Sequence, residues 1–210
     1  MSSRISVQPL EVRLSSIWML QPDYTSFRRA LESKGYTLRD EARGSMVKIA
    51  TKGSIEVFTN VERRTIGVSS ETSTKDLLVT YEDFEQIYKE LGIDESNFMV
   101  HEFIGNFTST STKSPIEVVK GLSIEGDVLR KIGSVMETKL VPLGLDLTTE
   151  DGFPTSSAWL RMNINPIYVS ANKKYALRVI YRGQLKEVLK FIKTIERRLK
   201  KTIEKLEGVS

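Results

Sequence analysis

Apolar and polar positions along the chain follow two periods, and the order in which those periods occur predicts an α+β fold. From Ile5 to Leu20 the pattern alternates through Val7, Val12, Leu14 and Trp18. Strand side chains point to opposite faces in turn, so this reads as one long strand with an irregularity at Pro9, which has no N–H to give to a ladder. Pro22-Asp23 opens a short helix with Tyr24, Phe27 and Leu31 on one face, and Lys34-Gly35 closes it. Three short strands are expected at Met46–Thr51, Ser54–Asn60 and Arg64–Ser69, with a turn at Lys52-Gly53. Thr80 is the expected cap of a second helix carrying Phe84, Ile87, Tyr88 and Leu91, which Gly92 ends.

The same order of elements then recurs. Phe98, Val100 and Ile104 fall on one side of a second long strand, with Met99, Phe103 and Phe107 on the other. Ser114-Pro115-Ile116-Glu117 has the spelling of a helix start: a cap, a proline at the first helical position, and a Glu placed to reach back to the cap. A further helical turn is expected near Asp127–Ile132, followed by strands at Val135–Leu147, Ala158–Asn165 and Tyr175–Tyr181. From Gln184 to Glu207, Leu185, Val188, Ile192, Ile195, Leu199, Ile203 and Leu206 recur at steps of three and four. That spacing predicts a single amphipathic helix of roughly 36 Å at 1.5 Å per residue. The expected architecture is a duplicated unit of strand, helix, three strands and helix, with antiparallel sheet on one side and helices on the other. The units are 1–94 and 95–210, or one interleaved domain, since no Pro- or Gly-rich linker separates them.

This order of elements is similar to the saddle of the TATA-binding protein family, and the second half resembles helix-grip proteins, in which a sheet wraps a long C-terminal helix. The resemblance is one of fold, and fold alone does not imply function.

Charge refines the picture. The chain carries a net +4, but from Lys173 onward twelve Lys or Arg stand against four Glu, so residues 1 to 172 are net negative by four. The basic character therefore belongs to the last strand and helix, on which Lys186, Lys190, Lys193, Arg197, Lys200 and Lys201 form a ridge. The chain has no cysteine, which excludes disulfides, thiolate catalysis and cysteine-ligated zinc. No apolar run suits a membrane span or a signal peptide, so a cytoplasmic setting is expected. Few Asn, Gln and Cys beside many Lys, Glu and Ile agree with a thermophilic source.

Catalytic chemistry is sparsely represented. The sole histidine, His101, lies within a strand and reads as a structural residue. Gly121 and Gly126 have the spacing of phosphate-loop glycines, but Asp127 stands where a lysine is needed. The acidic pairs Asp94-Glu95 and Glu150-Asp151 read as solvated caps, and Asp151-Gly152-Phe153-Pro154 as a turn. The sequence points to no catalytic residue, metal or cofactor, and the preferred reading is non-enzymatic.

Surfaces carry more. If Ala158, Leu160, Met162 and Ile164 face the helices, then Trp159, Arg161, Asn163 and Asn165 face away, joined by Arg178 and, from the preceding strand, Met136 and Leu140. A face so mixed is suited to contact. The first expectation is a binding or assembly module, a homodimer or a partner of another protein, that uses this face or the flank of the last helix. The second is a saddle-like nucleic-acid binder with the basic ridge as phosphate contacts. The third is a ligand carrier or enzyme with a pocket between sheet and last helix.

Overall fold

The two long alternating segments become the middle of one sheet. The computed structural model describes residues 5–122, 128–150, 158–168 and 173–208. Its strands are β1 (Val7–Trp18), β2 (Thr37–Arg43), β3 (Met46–Lys52), β4 (Ile55–Asn60), β5 (Thr65–Ser70), β6 (Phe98–Thr110), β7 (Leu145–Thr148), β8 (Trp159–Pro166) and β9 (Lys174–Gly183). Its helices are α1 (Tyr24–Ser33), α2 (Thr74–Glu90), α3 (Pro115–Lys120), α4 (Val128–Val135), α5 (Leu185–Ile192) and α6 (Ile195–Leu206). Every strand pairing is antiparallel, in the order β2-β3-β4-β5-β1-β6-β9-β8-β7. The fold class is α+β. The central β1–β6 pair crosses the boundary expected between units 1–94 and 95–210, so both contribute to a single sheet.

Register divides the sheet into two faces. On one, Val12 and Leu14 of β1 lie level with Gly105 and Phe103 of β6, and these with Val179 and Tyr181 of β9. This face carries the helices. α2 packs over β5, β1 and β4, α5 over β6 and β9, and α6 over β1. Phe27, Phe84 and Tyr88 from α1 and α2 meet Trp18 and Phe98 from the sheet in an aromatic cluster, while Phe191 of α5 stacks on Tyr181 at 4.2 Å. Burying such rings stabilises by about 1.5–3 kcal/mol each relative to leaving them exposed, so the helix layer is held by the face it covers.

Local signals explain both ends of α1. Asp23 caps α1 by accepting from the Ser26 N–H at 2.7 Å, and Gly35 follows it at φ +82°. Four expectations need correction. The second helix begins at Thr74, capped by Ser73, and Thr80 is an interior, buried residue. Ser114 makes no side-chain cap bond, although Pro115 does open α3. The expected strand Val135–Leu147 is replaced by the end of α4, an irregular stretch and the short β7. Glu137 adopts φ +52° and the Thr138 N–H bonds to Gly133 O at 2.9 Å, a left-handed stop that turns the chain where a strand would continue. Finally, the expected single terminal helix is two. Thr194 interrupts it: its hydroxyl donates back to Phe191 O at 3.2 Å, and its N–H bonds three residues back instead of four. The expected turn at 151–154 and the positions of Gly126 and Asp127 lie outside the described residues.

Candidate functional site

The face of the sheet opposite the helices is the candidate site, and the ladder places its residues in rows. One row runs Ser69, Arg13, Ile104, Ile180, Arg161 and Thr148 across β5, β1, β6, β9, β8 and β7. The adjacent row runs Phe58, Gly67, Ser15, Glu102, Arg182 and Trp159. Trp159, Arg161, Asn163, Asn165 and Arg178 thus share the face turned away from α5 and α6, and Leu160, Met162 and Ile164 point to the helix side.

Two members of the expected face are elsewhere. Met136 follows α4 and Leu140 lies in the irregular stretch after it, so neither is on the strand that would have brought it to the sheet. Trp159 is on the expected face but is not open: it is 5% exposed. Its indole N–H donates to Thr148 Oγ1 at 2.8 Å, and the Arg182 guanidinium lies 5.5 Å from the ring. Ile104 and Ile180, side by side and half-buried, are the apolar centre that remains accessible.

Much of the charge on this face is paired within the face. Arg161 holds Asp146 with two parallel bonds, one of them 2.9 Å from Nε to Oδ1, and this arginine keeps the Asp146 carboxyl below the usual carboxylate range. Arg13 is held by Glu11 and lies 5.8 Å from the centre of the Phe58 ring. Lys48 sits between Glu56 at 2.6 Å and Glu41 at 3.2 Å; Glu56 contributes most to raising the Lys48 pKa. Glu102, 2% exposed, accepts from Arg182 Nε at 2.6 Å, with Arg63 4.0 Å away. Phe58 lies across Gly67, where a Cβ would come within 2.8 Å of the ring and 2.6 Å of Leu14 O. The result is an amphipathic surface whose central charges are balanced, with exposed Arg178 and Arg43 forming no ion pair among the described residues.

The basic ridge is on the other side. Val188, Ile192, Ile195, Leu199 and Ile203 are buried against the protein's own sheet and helices, while Lys186, Lys190, Lys193, Arg197 and Lys201 are exposed and Lys200 is partly so, 3.7 Å from Glu204. The ridge and the sheet face that carries Trp159 and Arg161 therefore look in opposite directions and cannot grip one ligand together.

His101 lies beneath the sheet at 1% exposure, 3.0 Å from the Ser16 hydroxyl through Nδ1 and 3.3 Å from Glu95 through Nε2. Serine, histidine and carboxylate here have the order of a catalytic triad, but Ser16 is itself buried among the aromatic residues and offers no approach to a substrate. A cleft of about 780 Å³ between the sheet end and the start of α5 borders Glu95, His101 and Lys186. Burial lowers the His101 pKa, with Glu95 opposing in part, so the folded protein holds the imidazole neutral. The unfolded chain then takes up the proton first as pH falls below about 6.5, and stability must decline from there downward. Urea midpoints between pH 7.5 and 5 are expected to fall more steeply for the native chain than for His101→Gln; equal slopes would contradict this.

Among the described residues no helix is long and apolar enough to cross a membrane, and no group of three or more His, Cys, Asp or Glu side chains is arranged to hold a metal. Compared with known proteins, the chain matches no family model and no curated sequence.

Proposed function

We propose that this protein is a non-enzymatic binding or assembly module that pairs with a second copy of itself through the open face of its sheet. The observation that carries the reading is the one-sided placement of α1, α2, α5 and α6, which leaves Ile104 and Ile180 accessible at the centre of the opposite face between Arg13 and Arg161. An isologous pair brings the same patch of each copy together. Because the cations of that patch are balanced by Glu11 and Asp146, two copies meet without net repulsion. We also propose a cytoplasmic setting, with which the lack of a membrane-length apolar helix among the described residues is compatible. Saddle-type nucleic-acid binding draws less support, since polyanion contact would have to displace those carboxylates while the lysine ridge faces away.

Light scattering after size exclusion is expected to give twice the chain mass. Ile180→Asp puts a charge at the proposed centre without touching the helix-side core, and should yield a monomer that keeps the native circular dichroism spectrum and whose thermal midpoint no longer rises with protein concentration. A native chain that is monomeric at high protein concentration would overturn the assembly reading. Retention of labelled duplex DNA at low salt, lost at high salt, would favour the nucleic-acid alternative instead.

A further inference from the structure

The first half of the open face contains a built cleft of about 460 Å³, within the range of small-ligand sites. Its floor is Phe58 and Met46, with Arg13 as part of one wall: Arg13 reaches Met46 Sδ at 3.3 Å and lies against the Phe58 ring. The charges inside it are mostly spoken for. Arg13 is held by Glu11, and Lys48 by Glu41 and Glu56. Two exposed lining residues, Arg43 and Glu71, form no ion pair among the described residues.

These two stand at opposite ends. Arg43 pairs with Met46 where β3 begins, level with Asn60 of β4, whereas Glu71 follows Ser70, which is level with Ile55 at the other end of β4. Five steps along β4 separate those levels, about 17 Å at roughly 3.3 Å per residue, and β2 and β5 lie three strands apart, about 14 Å across, so the two backbone positions are about 22 Å apart. An extended peptide of about six or seven residues covers that distance. The cleft thus presents a cation at one end, an anion at the other and an apolar floor between them.

We infer that this cleft binds a short zwitterionic peptide, its free carboxylate at Arg43 and its free ammonium at Glu71. The inference rests on the open face being a binding surface, and names the ligand class of the half that does not contain Ile180. Phe58 supplies the apolar contact for a central side chain, and Thr51 supplies a hydroxyl to the peptide backbone, while Ser54 and Thr72, whose hydroxyls donate to Asp76, serve as acceptors. A polyanion suits the site poorly, because Glu11, Glu56 and Glu71 line the same walls.

The probe is a leucine-centred heptapeptide with free termini, titrated calorimetrically into the full chain beside its acetylated and amidated forms. Amidation should weaken binding roughly fivefold, as should acetylation, the scale of an exposed ion pair. Arg43→Gln should abolish the effect of amidation while leaving that of acetylation, and Glu71→Gln the reverse. Both side chains are exposed, so thermal midpoints should not move. Absence of heat at millimolar peptide, or blocked peptides that bind as well as free ones, would overturn the inference. A monomeric chain that nonetheless discriminates the free termini would support the cleft and sink the self-association reading alone.

Discussion

Trp18→Ala is expected to remove about 3–5 kcal/mol of folding stability. The residue ends β1 on the helix side, fully buried, with its ring 4.4 Å from Phe98 and 5.5 Å edge-on from Tyr88. It joins strands from both halves of the chain to α2, so no neighbour can collapse into the space without pulling a strand or a helix with it. A domain of ordinary stability holds about 5–15 kcal/mol, and this loss takes a large part of it. Trp18→Phe should cost much less, because the indole N–H has no hydrogen-bond partner among the described residues and its removal relieves a buried, unsatisfied donor. Urea unfolding followed by circular dichroism measures both. The alanine variant also leaves Trp159 as the sole tryptophan, so fluorescence then reports the open face alone. A loss under about 1 kcal/mol for alanine would mean that the aromatic cluster does not join the two halves as described.

How far each element was legible follows from how strongly one of its faces is buried. β1 and β6 were plain in the alternation because Val12, Leu14, Phe103 and Phe107 are buried while their neighbours Arg13 and Ile104 are half-exposed. β2 was invisible for the converse reason: Thr-Leu-Arg-Asp-Glu-Ala-Arg offers scarcely any apolar period, since an edge strand with charged side chains is held by its ladder and guarded against further pairing. The break at Thr194 has no apolar signature, because the period of α5 continues through α6 and a hydroxyl bond marks the bend. At the candidate site, alternation placed Trp159 on the correct side. Its exposure was not legible, because that depends on Arg182 of the neighbouring strand and on Thr148 of the other. Glu11 and Arg13 are two residues apart on one strand face, but the carboxylates that neutralise Lys48, Arg161 and Arg182 come from neighbouring strands, and no single-segment pattern announces those pairs.

The pair least visible in sequence carries the second large effect. Arg182→Met is expected to cost about 3–5 kcal/mol, because it strips the near partner from a carboxylate that is buried at the centre of the sheet. Arg63 is too distant at 4.0 Å, and itself too exposed, to replace a 2.6 Å charge-assisted bond. Much of the cost lies in the orphaned Glu102 rather than in the lost attraction, and this makes the effect separable. Glu102→Leu in the same chain removes the uncompensated charge, and the double variant should recover most of the stability lost by Arg182→Met alone. The cycle should also move Trp159, whose ring loses the guanidinium lying over it in both variants that lack Arg182, so its fluorescence should change equally in the single and double variants. Chemical denaturation of the four proteins measures the coupling. If Arg182→Met costs less than about 1 kcal/mol, or if the double variant is less stable than the single one, Glu102 is reached by water or by another cation, and the centre of the open face is not the self-neutralised surface on which a second copy is proposed to dock.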